Sequence, residues 1–270
     1  MPAHTHNDHR QPLTAYLEQY RGILDGLLRD ATADLLSLKF DGRHAHHLAA
    51  VAIYATILQS VGECATIARD PTTITIGTVV RSVLESYADL CAVISDVGYI
   101  ERLLATLINE KRRLLASMIR SPDNPFHEDL AMSIDAAADL PERQAELKAL
   151  ADRGIVPLRV EDRFHAAGKQ VEDLYGSLYW QLCLQGHNNI SAIENRHVRL
   201  VAENLAEVRI YDPRPVPELI MYYNSLVGVF AGATERIHDF LQSGLDGKYR
   251  ERGAQNLALG VEALGADVDA

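Results

Sequence analysis

Six long stretches of this chain carry apolar side chains at intervals of three and four residues, and each stops at a breaker. That spacing lines one face of a helix, whereas a half-buried strand alternates every second residue. The first stretch spans Leu13 to Phe40 and stops at Asp41-Gly42. The second, Arg43 to Arg69, stops at Asp70-Pro71, where the proline disfavours helix for the residue before it. The third runs from Thr73 to Asp96, with Val79, Val80, Val83, Leu84, Tyr87, Cys91 and Ile94 as its stripe. The fourth spans Tyr99 to Arg120, and Leu103, Leu104, Leu107, Leu114, Leu115 and Met118 are expected inward. The fifth covers Val160 to Gln185 and ends at Gly186; the sixth covers Pro217 to Leu241.

Between the fourth and fifth stretches, residues 126–153 read as two short helices broken at Pro141. Strand character arises in one place. His197-Val198-Arg199-Leu200-Val201 and Glu207-Val208-Arg209-Ile210 alternate polar and apolar residues around Glu203-Asn204, which suits a hairpin turn; helix is the competing reading. The fold class is therefore all-α: a multi-helix, bundle-like single core, with one small β-hairpin near 197–211. Residues 1–11 are expected as a polar tail, 12–244 as a single helical domain with 126–157 as a peripheral helical insertion, and 245–270 as a loosely packed Gly/Ala-rich tail.

Composition narrows the function classes. The formal charge of -11 is opposite in sign to that of a general nucleic-acid binder. Only five of the 26 basic residues are lysines, an arginine bias that suits bidentate anion recognition or merely a GC-rich genome. Met1 to Gln11 has no apolar run after its charges, and no uninterrupted apolar run reaches the ~18 residues of a spanning helix. A cytoplasmic protein without membrane partners is expected. Cys64, Cys91 and Cys183 are far apart and form no CxxC pair, so buried free thiols are expected rather than a zinc knuckle or disulfides.

Metal ligands are sought first among the histidines. His4, His6 and His9 resemble a metal-binding tract but belong to the polar tail, and His44, His46 and His47 open the second helix without a carboxylate at matching spacing. No metal and no cofactor is expected. Two polar rows remain. Arg81, Glu85 and Asp89 are four apart on the third helix, either an exposed ion-pair ladder or a row turned inward. Tyr175, Tyr179, Cys183 and His187 are four apart on the fifth, flanked by Leu174, Leu178 and Leu182, with Asn188 and Asn189 following. A histidine at a helix end beside tyrosines and amides suits acid–base or anion contact, or a satisfied structural role.

Arg81-Ser82-Val83-Leu84-Glu85, after a long helix ending in Ala68-Arg69-Asp70, resembles the Arg-x-x-x-Glu helix of a bacterial helical family, domain-of-unknown-function family 5677. The later order Gly168, Tyr175, Tyr179, Leu182, Cys183, His187 is similar to that family's second motif, and the resemblance covers roughly residues 40–242. The chain departs from it at Cys183, where the family tends to have serine, and at Asn188-Asn189, which replaces a Pro/Ser pair. The resemblance implies an all-helical core in which Arg81, Glu85 and His187 converge; it implies no reaction.

The leading reading is a binding or regulatory/interaction protein with a polar cleft lined by Arg81, Glu85 and His187, and with Tyr175, Tyr179 and Asn188 as further ligand contacts. His187, Glu85 and Arg81 are the candidates for any catalysis. Its partner would be a small molecule or a protein, and apolar positions on more than one side of Met221 to Phe240 suggest a homo-oligomer. A metal-independent HEPN-like ribonuclease of a toxin or phage-defence system is the alternative. Its Arg-x4–6-His motif has two matches, Arg120 to His127 and Arg159 to His165, which chance alone supplies in a chain this rich in both residues. A metal-dependent hydrolase using Glu63, Glu85 or Glu110 with His187 is more distant.

Overall fold

The computed structural model describes residues 12–186, 189–202 and 205–267. The first half holds α1 (Leu13–Asp34), α2 (Ala45–Ile67), α3 (Ile76–Ser95), α4 (Tyr99–Arg120), α5 (Pro125–Ala131) and α6 (Ala136–Asp152). The second half holds α7 (Val160–Ala166), α8 (Lys169–Leu174), α9 (Trp180–Gly186), α10 (Ile190–His197), strands β1 (Val198–Ala202) and β2 (Leu205–Val208), α11 (Val216–Phe240) and α12 (Asp246–Asp267). The fold is all-α and bundle-like around one main core, and the hairpin lies where alternation places it. Its strands pair antiparallel, Val198 opposite Val208 and Arg199 opposite Glu207.

Helix α11 is the axis of the bundle. It packs against α1, α2, α3 and α12, and buries Tyr222, Tyr223, Leu226, Val227, Phe230, Ala233 and Ile237. Its apolar positions on several sides are thus filled by its own chain, and this helix gives no support to oligomerisation. Helix α2 is long and apolar enough to cross a membrane by length and composition alone. Here it packs against α3, α11 and α1, with Tyr54, Ile57, Val61 and Cys64 fully buried.

Four expectations need correction. The segment after 245 is not a loose tail: α12 lies on α11 and α1, with Tyr249 fully buried and Asn256 and Ala263 nearly so. Its Gly/Ala content serves close helix packing, since a Cβ on Gly260 would stand 3.4 Å from the Tyr20 hydroxyl. Pro141 does not break the second short helix but lies inside α6; the break falls before Asp135, whose carboxylate caps α6 by accepting from the amides of Ala137 and Ala138. The single helix expected over 160–185 is cut at Gly168, whose φ of 92° belongs to glycine, and continues through a π-helical turn, Tyr175–Tyr179. On α4 the rotation differs: Leu104, Leu107 and Leu114 are exposed, while Ala105 and Ile108 pack with Leu150 of α6 in a small satellite cluster. Periodicity gives a stripe, and the neighbour α6 decides which edge of it is covered.

Cys64 and Cys91 are buried in the main core and Cys183 is half-buried, all as free thiols. Burial pushes Cys64 up to about 12 and Cys91 up to about 11. A thiol-specific reagent such as DTNB should therefore modify one thiol readily in the native chain and three after denaturation. Fast native reaction of two or more would contradict this packing.

Candidate functional site

The row on α3 turns inward and meets the second half of the chain. Glu85 accepts a hydrogen bond from the Tyr179 hydroxyl at 2.8 Å, and its Oε1 lies 3.6 Å from Arg81 Nε. One turn further along, Asp89 accepts from Arg163 Nη1 at 2.9 Å and from the Tyr99 hydroxyl at 2.7 Å. The four charged side chains are only 13–26% exposed, so this is a partly buried seam rather than a solvated ladder. Burial holds the Asp89 carboxyl above its ordinary value even though Arg163 and Tyr99 pull it down. Burial likewise raises the Tyr179 hydroxyl, with Glu85 beside it adding to the effect.

The tyrosines are set by an aromatic cluster. Tyr175 stacks on Tyr179 with ring centroids 5.3 Å apart, and both rest against Phe164, which is fully buried. Tyr179 closes the π-helical turn, a local widening often retained at functional positions. Of the residues singled out in the sequence, the structure brings Arg81, Glu85 and Tyr179 together and places Tyr175 behind Tyr179. His187 and Asn188 lie outside the described residues. Removing the Tyr179 hydroxyl by Tyr179→Phe should cost about 1.5 kcal/mol, as expected for a bond to a charged acceptor. Urea unfolding measures this directly, and an unchanged midpoint would mean that the bond contributes nothing.

A cleft lies near the N-terminal end of α3. It is a cavity of about 500 Å³ bounded by Thr72 and Ile74 before α3, Leu184 on α9, α10, and the loop that leads into α11. Arg196, Arg209 and Arg214 line it, with Asp212 and Glu218 as the carboxylates. Arg214 is held rigidly. Its Nε donates to the Thr73 carbonyl at 2.9 Å and its Nη2 to that of Ile74 at 3.0 Å, while Nη1 pairs with Glu218 and the guanidinium lies over the Tyr222 ring. Arg209 Nη1 pairs with Asp212 at 2.8 Å, and its Nε is buried without a hydrogen-bond partner. No spacing in the sequence links these arginines: Arg196 lies in the last turn of α10, whereas Arg209 and Arg214 belong to the loop before α11. The signal available was the Asp212-Pro-Arg-Pro loop, whose fixed backbone suits an anchored guanidinium. A more open groove of about 600 Å³ between α1 and α12 includes Arg252, which pairs with Asp30 at 3.0 Å.

The other sequence candidates lie elsewhere. His127 is buried with Nδ1 3.3 Å from the Ser121 carbonyl, and Arg159 bonds Asp162 while His165 faces Glu172. His46 rests on the Val93 carbonyl and against Phe240. Glu63 and Glu110 are exposed on α2 and α4, and among the described residues no cluster of three His, Cys, Asp or Glu is placed to hold a metal ion.

A family model described as a family of unknown function, DUF5677, matches residues 47–204, more than half of the chain. The chain belongs to this family. The DUF5677 segment starts within α2 and runs to the hairpin, so it contains the whole α3 seam, Tyr179 and Arg196. Arg209, Arg214 and the axial helix α11 lie beyond it. No curated protein and no solved structure matches the chain.

Proposed function

We propose that this DUF5677 member is a binding protein whose ligand is a small anion seated in the cleft at the start of α3. One observation carries the reading: three arginines line a space of about 500 Å³ in a chain of formal charge -11. Two carboxylates line the same space, Asp212 paired with Arg209 and Glu218 with Arg214. Helix α11 begins beside this wall, and its N-terminal dipole adds to the positive field. Leu184, Ile74 and the loop prolines form an apolar wall for the rest of the molecule. In this reading Arg81, Glu85 and Tyr179 are positioning residues. They hold the α9 region against α3 and so set where Leu184 stands.

Thermal melting with inorganic phosphate, a nucleoside monophosphate and citrate tests the proposal. At least one should raise the melting temperature saturably, because a ligand at a hundredfold excess over Kd adds about 2.7 kcal/mol. The shift should shrink with salt and vanish in Arg209→Met. No saturable shift from any of the three, or a shift that Arg209→Met leaves intact, overturns it.

A further inference from the structure

We infer that two copies of this chain associate through the outer edge of β2, merging their hairpins into one four-stranded antiparallel sheet. The hairpin is the most unusual surface of the molecule. Every residue of both strands is exposed, Val208 to 82%, and Ile210 two positions beyond β2 is 64% exposed. Among the described residues the sheet has two strands only, so the outer edge of β2 pairs with no further strand. A hairpin alone is marginal, and open edges are ordinarily blunted by lysine, proline or a covering element. Between Leu205 and Ile210 there is no lysine and no proline.

The backbone pattern says which groups are on offer. The Arg209 amide donates to the His197 carbonyl at 2.8 Å, and Arg199 stands opposite Glu207. Hydrogen-bonded pairs alternate along an antiparallel ladder, so Arg209 and Glu207 face β1 and the amides and carbonyls of Ala206 and Val208 face outward. The extended run ends at Tyr211, whose φ is 61°.

A second copy fits this edge better than an arbitrary strand because the edge is complementary to itself. Take a twofold axis through Val208. Val208 then meets Val208 of the second copy, and Ala206 meets Ile210, both apolar pairs. Glu207 stands opposite Arg209 of the second copy, which keeps its own Asp212 pair, and no like charges are opposed. Centring the axis on Glu207 would instead set two carboxylates face to face. The inference shares Arg209 with the anion cleft but not its ligand: the strand backbone and the Val208, Ala206 and Ile210 contacts carry it whether or not an anion binds.

Sedimentation equilibrium on the full chain tests it. The mass should rise with concentration from 29.9 kDa toward twice that value. Val208→Lys should hold the chain at 29.9 kDa with an unchanged helical circular dichroism spectrum, since this side chain touches little within its own copy. Glu207→Arg, which sets two arginines together, should weaken association at least tenfold. Val208→Cys should form a reducible dimer on mild oxidation where the parent chain does not, because paired Cα atoms in such a ladder are about 5.5 Å apart. That arm still reports if the lysine variant misfolds. A chain that stays monomeric at about 100 µM, where a micromolar association would be nearly complete, overturns the inference. So does a dimer that Val208→Lys leaves intact.

Discussion

Arg163→Met should lower the stability of this chain at neutral pH by about 3 kcal/mol, the low end for breaking a buried ion pair from one side. The Asp89 side chain is 13% exposed, and its charge is held by Arg163 Nη1 on one oxygen and the Tyr99 hydroxyl on the other. Methionine keeps the aliphatic bulk but leaves the carboxylate with a neutral donor alone. The pH dependence identifies the cause. Burial already raises the folded Asp89 pKa above its ordinary value, so the folded chain binds this proton more tightly than the unfolded chain. The resulting contribution is fully present below the unfolded carboxylate value and is lost as pH rises through the folded one. Removing Arg163 raises the folded value further. The deficit of the variant should therefore shrink as the solution is acidified and the stranded carboxyl takes up its proton. Urea unfolding of both proteins at neutral and mildly acid pH measures this, and a deficit of equal size at both would mean that lost packing, not stranded charge, is responsible.

Tyr249→Ala should be at least as damaging, at about 3–5 kcal/mol for truncating a fully buried aromatic side chain. The ring stacks on His238 at 5.2 Å, and the hydroxyl donates to Asp34 at 2.6 Å, joining α12 to both α11 and α1. Burial tends to raise the Asp34 carboxyl, but its bonds from Lys248 and Tyr249 outweigh this and hold it below the ordinary value. Tyr249→Phe keeps the ring and the Lys248 pair, so it should lose only about 1.5 kcal/mol, the loss of one bond to a charged acceptor. Deleting residues 246–270 should remove the cooperative unfolding transition, because it strips the cover from one side of α11. A truncated chain that melts like the full one would show α12 to be dispensable, as a loose tail would be.

Much of the local structure is legible from residue order. Tyr99–Arg120 has the expected bounds, and the hairpin falls where polar and apolar residues alternate. Departures occur where two local signals compete or where a signal is indirect. Pro141 reads as a stop, yet it sits early in a helix whose start is fixed by the Asp135 cap. Gly168 reads as an interior glycine in a periodic stretch, yet its backbone takes a conformation that only glycine tolerates. The candidate site divides in the same way. Arg81 and Glu85 share a face of α3 by spacing alone, and Tyr179 repeats at the same interval on its own segment. Their meeting requires the α9 region to lie against α3, and nothing in either segment names the other. Arg163 reaches Asp89 across 74 positions and Arg214 reaches the Thr73 carbonyl across 141.

The sequence by itself determined that the class is all-α, where the cores of the first four helices and of α11 run, and which polar residues share a helix face. Those properties follow from backbone geometry at intervals of three and four residues, and neighbours in the chain carry them. Tertiary structure alone decided which edge of the α4 stripe is covered, that the Gly/Ala-rich end is a packed helix, and that Arg196, Arg209 and Arg214 surround one cleft. These depend on the rotation and register of helices against one another. Side chains from distant segments set both as they compete to fill the same core volume, and no periodicity within a single segment records the outcome.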